Sequence, residues 1–309
     1  SARTLVAALA LLVPLALILA AHSVSNRRIQ HLGWIIVSLG LLNFLWGIPQ
    51  VLSQGASAIP YPENPMPGVL FGSFANRNST AVFLVVCLIL ALHLDVPAKL
   101  ARWAIALRTT LTVLLLAGVI LTQSRTGIAL LALPFALTAL RMLSAKRREP
   151  DRKLFALGGI AVAGLISIAV TMLPGSRIET ALDRFAGGDG YRTQIWEDAA
   201  YSAERFWPVG AGMGAFDEVI QIDESLEHIS PRTAGRAHNE YIELAIEGGV
   251  FALVLLALWF IWVIWLIWRA RRSPDRWLAW SGGAILLAFA LQSLTDYPLR
   301  NLAMLANAA

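Results

Sequence analysis

Long apolar runs alternate with short polar or charged connections along most of the 309-residue chain. A helix needs about 20 mostly apolar residues to cross the hydrocarbon core of a bilayer. The runs therefore predict an all-α integral membrane protein, built as a multi-span helical bundle. The expected spans are residues 4–22, 31–51, 80–95, 101–122, 126–142, 154–173, 248–268 and 277–295. The short runs at 80–95 and 126–142 fit extended or tilted helices.

Lysine and arginine positions predict how these spans are oriented. Basic residues concentrate in alternate connections, which are Arg27 and Arg28; Lys99 and Arg102; Arg141, Lys146, Arg147, Arg148, Arg152 and Lys153; and Arg269, Arg271, Arg272 and Arg276. One orientation makes all four connections cytoplasmic, as the positive-inside rule requires. The connections 52–79, 123–125 and 174–247 and the tail after 295 then face the other side.

The spacing of the spans divides the chain into three parts. Residues 1–173 hold about six spans, residues 174–247 form a large outer loop, and residues 248–309 hold two further spans. The loop contains no lysine, its acidic residues outnumber its arginines, and we expect it to be mostly helical. Because the chain starts at Ser1 directly before an apolar run, we expect it to be a fragment lacking N-terminal spans.

Composition narrows the classes of function. Charged residues make up 15% of the chain, against about 25% in soluble proteins. The net charge of +5 does not indicate nucleic-acid binding, because the basic residues are not gathered on one segment. Cys87 is the single cysteine. The chain has no Asp-x-Asp pair and no His/Cys cluster with metal-ligand spacing, so we expect no metal and no cofactor.

Polar residues that are unusual beside apolar runs gather on the outer side. They are Asn76, Arg77 and Asn78; Gln123, Ser124 and Arg125; Arg192; His238; and Asp296, Tyr297 and Arg300. Arginines at span ends can simply extend to lipid headgroups. Arg125 is harder to explain in that way, since it sits in a nearly continuous apolar stretch where an unpartnered charge is costly. Arginine also grips phosphate oxygens with a planar fork, so the set indicates an anionic ligand such as a lipid phosphate or diphosphate.

His238 opens the stretch "RAHNEYIELAIEGG" at 236–249. If 238–247 is a helix, His238 lies in its first turn, where the helix dipole and Arg236 disfavour the imidazolium. A neutral imidazole can act as a general base, and Asn239 could bind a sugar hydroxyl or orient the ring. The alternative is a polar residue that caps an interfacial helix.

Two other motifs have simpler interpretations. "GAGMG" at 210–214 resembles a phosphate-binding loop, but no strand precedes it, so we expect a turn after Pro208. Trp259, Trp262, Trp265 and Trp268 recur every third residue and are typical of lipid-facing or interfacial anchors.

The ordered set of motifs resembles the O-antigen ligase and polymerase superfamily over nearly the whole chain. It comprises Asn76-Arg77-Asn78, Ser124-Arg125-x-Gly127, Arg192 with Trp196, Pro208-x-Gly210-x-Gly212, His238-Asn239-x-Tyr241 with Glu247 and Gly248, and Asp296-Tyr297-Pro298-Leu299-Arg300. The resemblance implies a GT-C-like membrane glycosyltransferase with a large periplasmic loop. Such a protein is a multi-pass protein of the bacterial inner membrane with its active site on the periplasmic face.

The resemblance also implies an activity. The enzyme would move a glycan from undecaprenyl diphosphate to an acceptor hydroxyl, with inversion and without a metal. His238 would activate the acceptor, and Arg125 and Arg192 would stabilise the diphosphate. The residues expected to bind substrate are Asn76, Arg77, Asn78, Ser124, Asn239, Tyr241, Asp296 and Arg300. The expected acceptor is lipid A core or a growing polysaccharide.

Other functions remain open at this stage. A repeat-unit polymerase of polysaccharide or exopolysaccharide would use the same chemistry. An anionic-lipid transporter or flippase belongs to a different class, and it would favour charges through the depth of the membrane and Gly/Pro-broken helices in paired halves. A non-catalytic assembly scaffold would need neither His238 nor the arginines.

Overall fold

The computed structural model describes residues 12–53, 66–144, 190–228 and 235–300. Every regular element in these ranges is a helix, and the predicted all-α membrane fold is confirmed. The α-helices are α1 (Leu12–His22), α2 (Asn26–Leu52), α3 (Arg77–His93), α4 (Ala104–Leu121), α5 (Arg125–Leu130), α6 (Ala132–Leu143), α7 (Gly190–Arg205), α8 (Phe216–Asp223), α9 (Glu240–Ala270) and α10 (Arg276–Gln292). Short 3-10 helices cover Ala98–Trp103 and Pro298–Arg300.

Four helical stretches in the described residues are long and apolar enough to cross a membrane. They are Asn26–Leu52, Ala98–Leu121, Arg125–Leu143 and Glu240–Ala270, and α3 is a shorter apolar helix. The predicted span at 154–173 and the first part of the span at 4–22 lie outside the described residues. α10 matches the predicted last span but ends at Gln292 rather than at 295.

The predicted span at 126–142 is not one continuous helix. It is divided at Leu131 into α5 and α6. Pro134 lies in the first turn of α6. Proline has no backbone N–H to donate to the carbonyl four residues earlier, and its ring crowds that carbonyl. The break therefore follows from Pro134, whose effect on the backbone is not visible in a hydrophobicity profile.

The chain forms two compact units. The bundle unit comprises Val24–Ala186 and Ser273–Ala288, and the loop unit comprises Ser1–Ser23, Gly187–Arg272 and Phe289–Ala309. Within the loop unit, α7 and α8 of the predicted outer loop pack with α9. The predicted boundaries at 173 and 247 stay a prediction.

In the bundle unit, α3 is the central helix, and its residues from Ser79 to His93 are all buried. Small residues allow the neighbouring helices to approach closely, as is common between membrane helices. A Cβ atom added to Gly40 of α2 would lie 2.4 Å from the Sγ atom of Cys87, and one added to Gly118 of α4 would lie 2.8 Å from Leu84. The core of this unit is therefore formed around α3.

In the loop unit, α7 and α8 pack on the first part of α9. The buried apolar residues of this core are Ile195, Ala199, Phe216, Val219, Ile220, Ala237 and Ile246. α9 is kinked at Gly249, whose φ is 56° and ψ is −151°. The kink lies where the sequence predicts the membrane span to begin, so the part of α9 before Gly249 belongs to this core and the part after it is the apolar span.

Candidate functional site

His238 does not lie in the first turn of α9, and that expectation from the sequence is wrong. The helix begins at Glu240, and Asn239 is its N-cap, with a side-chain oxygen that accepts from the backbone N–H groups of Tyr241 and Ile242. His238 precedes the cap with a φ of 52°, in the left-handed region. Non-glycine residues rarely adopt this conformation, and it costs of order 1–3 kcal/mol unless the surroundings enforce it. Asn239, not His238, therefore performs the capping role.

The same local arrangement occurs before Arg125 in the bundle unit. Gln123 has a φ of 53°, Ser124 caps α5 by accepting from the Gly127 N–H, and Arg125 is the first helical residue. Gln123 and His238 are the non-glycine residues with positive φ within the described ranges. Such strained positions cluster at functional sites, so both candidate motifs stand out by backbone geometry as well as by sequence.

His238 faces Asp296 and Tyr297, which follow α10. Its Nδ1 atom lies 3.4 Å from a carboxylate oxygen of Asp296. The rings of His238 and Tyr297 lie 5.1 Å apart, tilted by 52°. Asp296 is buried, whereas the side chain of His238 is 29% exposed. A buried carboxylate thus faces one ring nitrogen while the imidazole keeps access to solvent.

Three glutamates of α9, the half-buried Glu240 and the buried Glu243 and Glu247, form an acidic stripe that begins two residues after His238. Glu240, Glu243 and Glu247 have the spacing that places them on one helix face. Glu240 accepts from the Ser293 hydroxyl at 2.6 Å and from the Leu299 N–H at 2.8 Å. Glu247 accepts from Arg300 at 2.9 Å and from the Phe216 N–H at 3.4 Å. The stripe holds the chain segments that surround His238.

Glu243 contacts both sides of the His238–Asp296 pair. Its carboxylate accepts from the Ala237 N–H at 3.0 Å and from Arg236 at 3.2 Å, immediately before His238. It also lies 3.1 Å from Arg300, shortly after Asp296. Because Glu243 is fully buried, these contacts are not weakened by water. One side chain therefore fixes the backbone on both sides of the pair.

Arg300 has a structural task in this arrangement. One of its guanidinium nitrogens lies 2.9 Å from Glu247 and 3.1 Å from Glu243. Burial acts to lower the pKa of Arg300, but Glu247, Glu243 and Glu240 outweigh it and raise that pKa above its ordinary value. The expected contact of Arg300 with substrate stays a prediction, and its partners in the structure are protein carboxylates.

Tyr241 and Trp196 attach neighbouring elements to the histidine motif. The Tyr241 hydroxyl donates to the carbonyl of Ala290 at 2.8 Å. The Nε1–H of Trp196 donates to the carbonyl of Ala237 at 2.7 Å, which ties α7 to the residue before His238. The predicted substrate contact of Tyr241 stays a prediction, and its hydroxyl has a partner within the protein.

Arg192 lies in the first turn of α7, one helical turn before Trp196. Its charge acts on Tyr297. Burial raises the pKa of the Tyr297 phenol, as does Asp296, while Arg236 and Arg192 act to lower it. Arg192 therefore contributes to the electrostatic environment of Tyr297, the residue whose ring packs on the ring of His238.

The remaining predicted residues lie in the bundle unit. Asn76 caps α3 by accepting from the Asn78 N–H at 2.8 Å, and Arg77 is the first residue of that helix. A Cβ atom added to Gly127 would lie 2.4 Å from the Cβ atom of Ala81. The first turns of α3 and α5 are thus in contact, which brings the Asn76–Asn78 motif beside the Ser124–Arg125 motif. That Arg125 joins His238 in one pocket stays a prediction.

The glycine motif forms a turn, not a nucleotide-binding loop. The N–H groups of Ala211 and Gly212 donate to the carbonyls of Ile246 and Glu247, at 2.7 and 2.9 Å. These carbonyls belong to the end of the first part of α9, where the kink removes their helical partners. The amides that could bind a phosphate are therefore used to close the helix end.

Sequence reasoning missed Glu240, Glu243 and Arg236 as parts of the site and used Glu247 only as part of a motif. In the sequence, the acidic residues counted only toward the excess of acids over arginines in the outer loop. Their spacing on one helix face, three and then four residues apart, was the available signal. Within the described residues, no group of three or more His, Cys, Asp or Glu side chains is arranged to hold a metal ion.

Comparison with known proteins agrees with the resemblance seen in the sequence. Residues 110–257 match the family model described as O-Antigen ligase, a stretch that includes Arg125, Arg192, His238 and the acidic stripe. No curated protein and no solved structure matches the chain. The match at 110–257 supports an O-antigen ligase-like superfamily for this all-α membrane protein.

Proposed function

We propose that the protein transfers a glycan from an undecaprenyl-diphosphate donor to an acceptor hydroxyl, with His238 as the general base. An O-antigen ligase or polymerase type of membrane glycosyltransferase is the activity that the family supports. The observation that carries the proposal is the contact between Nδ1 of His238 and Asp296. In a neutral imidazole one ring nitrogen is a donor and the other an acceptor. With Nδ1–H donating to Asp296, Nε2 is the proton acceptor.

The reaction then follows from the placement of these groups. The acceptor O–H proton passes to Nε2 of His238 while the acceptor oxygen forms a bond to the anomeric carbon. The bond from that carbon to the diphosphate oxygen breaks, and its electron pair stays on the diphosphate. Attack from the face opposite the leaving group inverts the anomeric configuration. General base catalysis typically contributes about 10²- to 10⁴-fold to the rate.

Arg125 and Arg192 are proposed to receive the diphosphate as negative charge develops on it. A guanidinium keeps its charge at any physiological pH and matches two phosphate oxygens. Removal of one donor aimed at a developing anion typically costs about 3–4 kcal/mol. Asn76, Arg77, Asn78 and Ser124 neighbour Arg125 and are proposed to line the donor side, and Asn239 and Tyr241 the acceptor side.

The proposed site is on the periplasmic face of the bacterial inner membrane. His238 lies just before the N-terminal end of α9, and Arg269, Arg271 and Arg272 lie at the C-terminal end of the same helix. Since arginines mark the cytoplasmic side, the histidine end faces the periplasm of a bacterial inner membrane. The lipid tail of the donor would remain in the bilayer, and the acceptor would be lipid A core or a growing polysaccharide.

The test uses purified protein in nanodiscs with undecaprenyl-diphosphate-linked glycan and two acceptors, lipid A core and a non-reducing glycan end. Mass spectrometry shows which acceptor gains the glycan, which separates ligase from polymerase. His238→Ala and Arg125→Ala should each reduce transfer by at least about 10²-fold. His31→Ala is the matched control, because His31 is exposed on α2. Transfer by His238→Ala at the wild-type rate, or movement of intact donor across the bilayer without transfer, contradicts the proposal.

A further inference from the structure

An exposed apolar turn in the loop unit lies beside the point where α9 enters its apolar span. This membrane-edge turn comprises Trp207 to Met213. Three of its side chains are large, apolar and exposed: Trp207 at 53%, Val209 at 68% and Met213 at 38%. Single exposed apolar residues are ordinary on protein surfaces, but a contiguous group marks an interaction surface.

The turn is held against α9 by its backbone. The Val250 N–H donates to the carbonyl of Pro208 at 2.9 Å. A Cβ atom on Gly249 would lie 2.1 Å from that same carbonyl oxygen, and a Cβ atom on Gly210 would lie 2.6 Å from the carbonyl oxygen of Glu247. Two glycines thus allow the turn and the kinked helix to touch backbone to backbone. The depth of the turn in the membrane is therefore fixed by the depth of Val250.

The length of the apolar run determines where Val250 lies. From Val250 onward, none of the described residues of α9 is buried within the protein, which is the exposure expected of an apolar helix that faces lipid. The run from Val250 to Trp268 rises about 28 Å at about 1.5 Å per residue, against a hydrocarbon core of about 30 Å. A tilt only shortens this rise. At the inner end, Arg269 and Arg271 stack on Trp265 and Trp268, as expected at a membrane border.

We infer that the membrane-edge turn, residues 207–213, inserts Trp207, Val209 and Met213 into the outer lipid interface and so fixes the loop unit on the bilayer. With Trp268 at the inner border, Val250 lies at the outer border, and the turn lies beside it. The backbone of the turn contacts α9 at Val250, where the apolar run of that helix begins. Its partner is the headgroup and acyl-chain boundary of the outer leaflet. This inference does not depend on the proposed reaction.

The experiment measures depth with a single fluorescent label in the full chain. Cys87 is buried, and a Cys87→Ala background leaves one reactive thiol when Val209→Cys is added and labelled with nitrobenzoxadiazole. The protein is placed in nanodiscs that contain phosphatidylcholine with doxyl groups near the headgroup. Gln194→Cys supplies the control, because Gln194 is an exposed polar residue near the start of α7.

We expect the doxyl lipid to quench the label at 209 at least threefold more strongly than the label at 194. Iodide in the water should quench the label at 194 more strongly than the label at 209. Equal iodide quenching at both positions, with no doxyl quenching at 209, overturns the inference. If Val209→Cys does not fold, Met213→Cys provides the same measurement from the same turn, with the same two outcomes.

Discussion

Nδ1 of His238 lies 3.4 Å from a carboxylate oxygen of Asp296, although the two residues are 58 positions apart in the chain. Asp296 also accepts from the N–H of Tyr297 at 3.0 Å. The carboxylate is thus held by its own backbone turn while it faces the imidazole. A histidine oriented in this way by a buried acid has its other nitrogen directed away from the acid.

Asp296→Asn should reduce glycan transfer by about 10²-fold, because a neutral amide does not stabilise the imidazolium formed during proton transfer and can favour the wrong tautomer. Donor affinity should change little, since Asp296 is buried behind the histidine ring. Single-turnover transfer and a separate donor-binding titration measure the two effects. If donor affinity fell by about 10²-fold and turnover did not change, Asp296 would bind substrate instead.

Arg300→Ala should destabilise the protein by about 3 kcal/mol, because it leaves Glu243 and Glu247 buried without their shared cation. The measurement is thermal unfolding in detergent micelles. The matched control is Arg28→Ala, which removes an exposed arginine of α2, and surface substitutions usually change stability by no more than about 0.5 kcal/mol. Equal melting temperatures for the two variants would refute the structural role of Arg300.

Gly249→Ala should disrupt the kink of α9. The residue has a φ of 56°, and an added Cβ would lie 2.1 Å from the carbonyl oxygen of Pro208, so the substitution adds backbone strain of order 1–3 kcal/mol and a steric clash. Gly282→Ala in α10 is the control, since nothing lies within 4 Å of its added Cβ. That control should be neutral or stabilising by about 0.5–1 kcal/mol. A stable Gly249→Ala variant would mean that the kink is not required.

His228 should make the end of the described segment 190–228 sensitive to pH. Its hydrogen bond to Asp198 raises the pKa of the imidazole, opposed by desolvation and supported by the charges of Asp198, Glu197 and Glu227. The folded pKa is above the unfolded one, so the contact contributes fully below the unfolded pKa and is lost as pH rises through the raised folded pKa. Hydrogen exchange at residues 225–228, corrected for intrinsic rates, should therefore increase over that range. His228→Asn should remove the pH dependence, and an unchanged profile in this variant would contradict the assignment.

The fold was largely predictable because the lipid environment requires long apolar helices, and those runs are visible in the sequence. The breaks within helices were less visible. Pro134 divides α5 from α6, and Gly249 kinks α9, through backbone geometry that hydrophobic periodicity does not record. The same limitation placed His238 inside a helix, since nothing in its side chain signals a positive φ.

Which residues serve in the candidate site stays a prediction, and the pairings that the structure shows among them could not be read from the sequence. His238, Arg192, Asp296 and Arg300 were identified by their position on one side of the membrane. Which of them touch is decided by tertiary packing between α9 and the segment after α10. That packing pairs Asp296 with His238 and pairs Arg300 with the buried Glu243 and Glu247.

The most direct test of the central claim is chemical rescue of His238→Gly. Glycine readily adopts the left-handed conformation found at this position, so the variant should fold and remain in the membrane. Without additives it should transfer glycan at least about 10²-fold more slowly than the wild type, and added imidazole should restore a measurable part of the rate in proportion to its concentration. Transfer by His238→Gly at the wild-type rate without imidazole would contradict the account.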